Sequence, residues 1–576
     1  MKSKNKRGHL GGILENRLFR LLVLVAVFTG ISSCEDSLQE EAPSEFDSSD
    51  FYKDAATAEM GVMGIYNAIS HEDFYGRWMS YELQGPTDIS RFNRSNRDRN
   101  AAHGQVNDHI FTEDNQAISQ AWAKGYEAIY AANLAIDGIR PLYETTSDED
   151  IKFAYAEAHF LRGVVYFEMV KKWGDIPLKT TTIETVSEAK VVARTPQVEI
   201  YEQIEKDLKF AAENLPWASS GKLGRASKGA ALGMLTRAYL AWAGKPIEDA
   251  TKYEDARLAA KEIIESGEHQ LLTDFEFIEP TADGFRGDRA EMFDNYPELW
   301  WNIALGVTDD TEIMWAIQYL YTANQDDSGW IGAWHGVGTA DKSAGGPGRG
   351  DNRMPLTWSF YDSFEASDSI RRDYSCFLFR SRGSGGVNAW YDLPTNSSEG
   401  TPYYWGIGNG KFRRYLMPEV SENNNKESMD WPVIRYADVL LMYAEAALMT
   451  GTDVADGLEK LNMVRRRAHN LPVNTASAID KGSLTLDVVI DERAWELCSE
   501  GLRKHDLIRW GILKERIMAA GAAFETRWSA MAPADNGFYV GHLNFKDHHV
   551  LWPIPNSEFV PNPFILSTDP TNNGYR

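Results

Sequence analysis

Cysteine is almost missing. The 576 residues hold 3 of them, too few for a disulfide framework, so the fold must be held by its own core. Cys376 and Cys498 could form one bridge at most. Cys498 closes the helical-looking stretch Glu492-Arg493-Ala494-Trp495-Glu496-Leu497-Cys498, and the pair is read as two buried thiols. Basic residues are short as well: 59 Lys and Arg stand against 84 Asp and Glu, a net charge of −25. Without residues 1–33, which carry six basic residues and one acidic, the balance is −30. Such a surface excludes nucleic acid, whose phosphates need basic partners, and excludes lying flat on anionic lipid. A membrane-crossing run is lacking too. Crossing takes about 20 apolar residues, and Leu21 to Phe28 falls far short of that. No Gly-x-Ser-x-Gly elbow, phosphate-binding loop or dinucleotide fingerprint occurs in a context that would support its chemistry.

What is present begins with Lys2, Lys4, Lys6, Arg7, Arg17 and Arg20, then the apolar run, then Thr29, Gly30, Ser32 and Ser33. That order is an export signal. Ile31-Ser32-Ser33-Cys34 resembles a bacterial lipobox, in which the cysteine takes lipid and becomes the mature N-terminus. Several acyl chains on one residue anchor a protein stably, where one chain is marginal. The bland alternative is an ordinary secreted protein with a spare thiol. Residues 34–50 are polar and acidic and read as a tether.

Aromatics are plentiful, with 18 Trp, 25 Tyr and 25 Phe. Most must fill core, since each buries a large area. Asp54 is placed to cap a helix over 55–69, with Met60, Met63, Gly64 and Asn67 as a loose apolar stripe. Segments 154–173, 227–243 and 434–448 each mix Ala or Gly with Leu, Tyr and Met at helical intervals. Each precedes a candidate partner helix, at 197–214, 252–266 and 454–469, and Gly174 and Gly451 fit helix ends. The pairs resemble tetratricopeptide repeats without a strict 34-residue period. The expected fold is mainly α: an irregular α-solenoid of tetratricopeptide-like helical pairs with a loop-rich, partly β variable region. One domain over 51–576 is expected, with scaffold at about 51–270 and 431–515, the variable part at 271–430 and a closing segment at 516–576. In the variable part, Glu312 to Tyr319 reads as a strand, and Gly329 to Gly336 and Ser343 to Gly350 read as loops.

Five stretches stand out: Ala156-Glu157-Ala158-His159-Phe160-Leu161-Arg162 with Tyr166-Phe167 and Trp173-Gly174-Asp175-Ile176-Pro177-Leu178; Trp431-Pro432-Val433-Ile434-Arg435-Tyr436-Ala437-Asp438 through Ala446; Asn462, Val464, Arg465 and Arg467; Glu492-Arg493, Glu496, Glu500, Gly501 and Arg503 to Gly511; and Leu551-Trp552-Pro553-Ile554-Pro555 with Asn562-Pro563. Together they resemble the SusD/RagB family. The chain departs from the family at Lys504-His505 and at Thr571-Asn572-Asn573-Gly574-Tyr575. The resemblance implies a surface lipoprotein of the outer membrane, lipidated at Cys34 and facing the cell exterior. It would bind nutrient glycan over a SusC-like TonB-dependent transporter and act as its lid. It also implies that Glu492, Glu496 and Glu500 pair with arginines such as Arg465 and Arg503.

For the ligand, the resemblance points to aromatics after the first helix and in the middle loops: Trp78, Trp301, Tyr321, Trp330 and Trp334. Asn324, Asp326, Asp327 and Arg353 are the polar neighbours in sequence. Sugar rings offer apolar C–H faces to indoles and hydroxyls to polar groups. Trp78, Trp301 and the strand residue Trp315 equally fit core packing, whereas the Gly-rich setting of Trp330 and Trp334 favours ligand contact. Two other readings stand: a peptide or glycopeptide binder in the same lid role, and a surface glycosidase. Carboxylate pairs are too common in so acidic a chain to argue for the latter. His548-His549 lacks the spacing of a helical zinc pair, no cofactor is expected, and Asn324 to Asp327 could at most hold calcium.

Overall fold

The computed structural model describes residues 51–92, 101–182, 191–273, 295–306, 311–320, 329–336, 350–383, 388–392, 407–414, 417, 426–527 and 541–576. Asp54 caps the first helix, α1 (Ala55–Ser70). Its carboxylate accepts from the Thr57 amide at 2.9 Å, and the Thr57 hydroxyl accepts from the Asp54 amide at 3.1 Å. The buried face of α1 is Ala58, Val62, Ile65, Ala68 and Ile69, a stripe at spacings of three and four. The expected stripe lies on the outer side: Met60 is 57% and Met63 37% exposed, and Gly64 and Asn67 are also exposed. The close-packed face took the small and β-branched residues, and the flexible methionines were left to solvent.

Seven further helices build the scaffold with α1. They are α2 (Gln116–Tyr143), α3 (Glu149–Trp173), α4 (Gln197–Asn214), α5 (Lys228–Ala243), α6 (Lys252–Ser266) and, after the variable part, α9 and α10. The variable part contributes α7 (Asn295–Leu305), β1 (Ile313–Ile317) and α8 (Ile331–His335); then come β2 (Trp431–Arg435), α9 (Tyr436–Thr450), α10 (Val454–Ala468), α11 (Leu486–Glu496) and α12 (Arg503–Arg509). Each scaffold helix packs on the next: α1 on α2, α2 on α3, and so on to α6, which packs on α9, and α9 on α10. The solenoid is thus continuous in space although the chain leaves it between α6 and α9. The three expected helix pairs are α3–α4, α5–α6 and α9–α10. Gly174 and Gly451, which end α3 and α9, have positive φ of 73° and 69°, where a Cβ is strained.

β1 pairs antiparallel with β2. Trp315 in β1 is core, with its ring 4.9 Å from Phe160 of α3. The segment 434–448 does not begin as helix: Trp431 to Arg435 is strand, and the helix starts at Tyr436. Strand pairing carries the variable part back onto the scaffold at this point.

A buried ion network fills the junction of β2, α10 and α11. Glu496 meets Arg467 at 2.6 Å, Arg435 at 3.2 Å and Arg371 at 3.1 Å. Glu492 meets Arg465 at 2.8 Å, and Glu500 meets Arg435 at 2.7 Å and Lys411 at 2.6 Å. The expected pairing with Arg503 does not form: Arg503 turns to Asp88 at 2.6 Å. Cys376 and Cys498 are free, buried thiols in one apolar cluster with Trp358 and Trp495. At the C-terminus, Asn573 donates to the backbone oxygens of Trp173 and Trp552 at 2.9 and 2.7 Å. His549 stacks on His109 at 5.0 Å, a packed histidine. Among the described residues no helix is long and apolar enough to cross a membrane, and no group of His, Cys, Asp and Glu could hold a metal ion.

Candidate functional site

The chain after α1 turns into a single π-helical turn, Trp78–Glu82, which places Trp78 beside the variable part. Gly329 to Gly336, expected as a loop, instead contains the short helix α8. Its glycines serve close approach rather than slack. A Cβ on Gly336 would sit 2.2 Å from the Phe412 carbonyl oxygen. The turn brings Trp330 and Trp334 edge to face at 4.7 Å between ring centres. Trp334 in turn meets Trp78 at 6.5 Å.

Two guanidinium groups lie among these rings. Arg77 stands 3.7 Å over Trp78, 5.3 Å from Trp334 and 5.4 Å from Trp330. Arg353 stacks on Trp334 at 3.7 Å. His103, on the short helix Ala102–Asn107, packs on Trp78 at 6.0 Å and on Trp334 at 6.2 Å. Carboxylates lie beside the arginines: Asp73 accepts from Arg77 at 3.4 Å and from the Trp78 indole at 3.3 Å, and Asp351 accepts from Arg353 at 3.3 Å. Backbone bonds fix the rest, with the Arg353 amide donating to the Trp334 oxygen at 2.8 Å.

The structure therefore gathers four of the expected residues, Trp78, Trp330, Trp334 and Arg353. Trp301 lies on α7 and is buried, in keeping with its core reading. Tyr321, Asn324, Asp326 and Asp327 lie outside the described residues, as does Cys34. Exposure divides the rings. Trp78 and Trp334 are 4% and 6% exposed, so the Trp334 ring is buried, where its glycine-rich setting had suggested an exposed one. Trp330 is half-buried.

Sequence reasoning missed Arg77, His103 and above all Glu427. Glu427 is buried, and its carboxylate accepts from the Gly332 amide and meets Arg414 at 3.1 Å. Burial pushes its acid up to about 7, against the pull of Arg414 and of the Gly332 and Ala333 amides. Asp430 accepts from the Tyr319 amide at 3.0 Å, and burial pushes it up to about 6. His335 is pushed down to about 3 by burial, with Arg353 and His103 adding to the effect, so near neutral pH it is an uncharged ring. The assembled surface is an indole face with guanidinium donors beside it. It can stack on a sugar ring and donate to its hydroxyls.

Comparison with known proteins follows the same lines. A family model described as the SusD family matches residues 311–575, and one described as starch-binding associating with outer membrane matches residues 68–240. A SusD-like protein of Formosa agariphila is 25% identical, over 97% of this chain and 100% of its own. A solved SusD homologue from Bacteroides thetaiotaomicron is 28% identical, covers 91% of this chain and 99% of its own, and superposes with a TM-score of 0.77. A structure solved with a xylogluco-oligosaccharide is 20% identical and covers 88% of this chain and 97% of its own, with a TM-score of 0.64.

Proposed function

The chain belongs to the SusD family, and from that premise we propose that it is a glycan-binding protein of the outer-membrane surface that captures oligosaccharide or polysaccharide without cleaving it. The observation that carries this reading is Trp330: a half-buried indole backed by the buried Trp334 and Trp78 and flanked by Arg77 and Arg353. A rigid ring with donors beside it suits the apolar face and hydroxyl rim of a sugar. The family description as starch-binding and associating with the outer membrane supports the class of ligand and the place.

The finer parts of the proposal are an anchor, a tether and a partner. Cys34 carries lipid, residues 34–50 tether the fold, and the bound glycan passes to a SusC-like TonB-dependent transporter. Two described carboxylates at the cluster, Asp73 and Asp351, are engaged by Arg77 and Arg353, which favours binding over hydrolysis.

The test uses residues 35–576, which include the compact unit Lys53–Arg576. Plant, host and microbial polysaccharides are screened by retardation in native affinity gels, with assay of new reducing ends. Retardation by one glycan class with no new reducing ends supports the reading. New reducing ends would make it a glycosidase, and retardation by none, with binding of peptides, would make the cargo peptide.

A further inference from the structure

A second feature lies in the scaffold, away from the indole cluster. Between α3, α5, α9 and α12 the structure holds a cavity of about 50 Å³, lined among others by Lys171, Gln197, Tyr201, Arg237 and His505. On that measure a single water takes roughly 10–15 Å³, so the space holds several waters or one small polyatomic ion. Lys245, at its rim, pairs with Glu248 at the surface at 3.4 Å.

The charges around this cavity do not balance. Glu168 is shared by Lys171 at 2.5 Å and Lys172 at 2.8 Å. Asp438 is shared by Arg237 at 2.6 Å and Arg493 at 2.7 Å. Asp506 is shared by Arg493 at 2.9 Å and Arg509 at 2.8 Å, and Glu445 holds Arg509. Lys504 is 3% exposed, and its ammonium has no hydrogen-bond partner among the described residues. Of these cations Lys171, Arg237, Arg493 and Arg509 line the cavity and Lys172 and Lys504 adjoin the same network without lining it; with every group ionised the network sets six cations against four carboxylates, in a chain of net charge −25. Arg237 adds an Nε with no hydrogen-bond partner among the described residues. Buried charge without a counter-charge is strongly unfavourable.

We propose that this cavity is a binding site for one small oxyanion, phosphate or sulfate, with Lys171, Arg237 and the His505 ring as its donors. The anion supplies the missing negative charge and ties α3, α5 and α12 together at one point. The three donors come from α3, α5 and α12, none of which carries a residue of the indole cluster, so the proposal does not rest on the glycan reading. The electrostatics agree. Burial, with Lys172 and Arg237 beyond the opposing pull of Glu168, pushes Lys171 down to about 7. Burial and Lys172 push Lys504 down to about 8. His505 is pushed well down by burial and by Lys172, Lys171 and Lys504, which leaves a neutral ring able to donate. Each cation nearby gains from an anion in the space.

The test is calorimetric titration of residues 35–576 with sodium phosphate, and separately with sodium sulfate, against sodium chloride at matched ionic strength. The expected result is saturable one-site binding of an oxyanion, with chloride weaker. The phosphate arm and the sulfate arm show which oxyanion is preferred. Lys171→Gln is expected to weaken binding about tenfold or more, as loss of a charge-assisted donor does. Thermal unfolding is followed in parallel, because a ligand of the native state raises Tm. Sulfate also stabilises proteins non-specifically, and that part persists in the variant. No binding heat with the unmodified protein overturns the proposal and leaves the surplus to be relieved by proton loss from the lysines. Equal binding by Lys171→Gln also overturns it.

Discussion

Glu427 and Gly329 exchange both backbone hydrogen bonds, at 3.0 Å in one direction and 3.1 Å in the other. The side chain of the same Glu427 accepts from the Gly332 amide. One residue therefore holds the chain on both sides of Trp330. The reachable ring of the cluster is fixed by a clamp that is far from it in sequence.

That clamp carries a pH signature. The Glu427 acid is raised in the folded protein to about 7 from an ordinary 4.5. A raised carboxyl favours the fold fully below its unfolded value and loses that contribution as pH rises through the folded value. The wild type should therefore lose stability relative to Glu427→Gln as pH climbs from about 4.5 to about 7, by at most about 3 kcal/mol. Difference unfolding curves across that window test it. A flat difference would contradict the clamp's titration.

Trp334 should behave as core. Trp334→Ala is expected to destabilise by about 3–5 kcal/mol, the range for truncating a buried Trp, read as a lower Tm. An unchanged Tm would mean that the ring is not support.

Glu496 sits among three arginines. Burial alone would raise its acid, but Arg467, Arg435 and Arg371 hold it down to about 2. A lowered carboxylate contributes stability above its unfolded value and loses it as pH falls through the folded one, so this contribution should fade between about 4.5 and about 2. Glu496→Ala leaves guanidinium groups unpaired in the interior and should destabilise by about 3–5 kcal/mol. Denaturant unfolding measures it, and a change under about 1 kcal/mol would contradict the network's role.

Cys376 and Cys498 should resist thiol reagents in the native protein and react fully once it is unfolded. Both are buried, and burial pushes both thiols up, which keeps the reactive thiolate scarce. Counting free thiols with and without denaturant checks this, and rapid native labelling would refute it.

The scaffold was legible because helix pairing leaves a local trace. Ala and Gly alternating with Leu, Tyr and Met marked α3, α5 and α9 before any contact was known. The stripe of α1 misled because Met is apolar but is not thereby buried. Ile434 and Arg435 read as the start of a helix, since strand pairing with Ile313 to Ile317 is a long-range fact. The site was half legible: Trp78, Trp330, Trp334 and Arg353 could be named. Arg77 lay next to Trp78 in sequence and could have been found by the same argument. Glu427 could not, because Asn424-Asn425-Lys426-Glu427-Ser428 reads as an ordinary polar stretch and its role exists only through Gly329 and Gly332.

The most direct test of the account is the dissociation constant of Trp330→Ala for whichever oligosaccharide the wild-type protein retains, measured by titration calorimetry beside its Tm. The account predicts binding weakened by about tenfold or more, as loss of a central aromatic contact implies, at an unchanged Tm. An unchanged dissociation constant would contradict it and move the glycan site away from this indole.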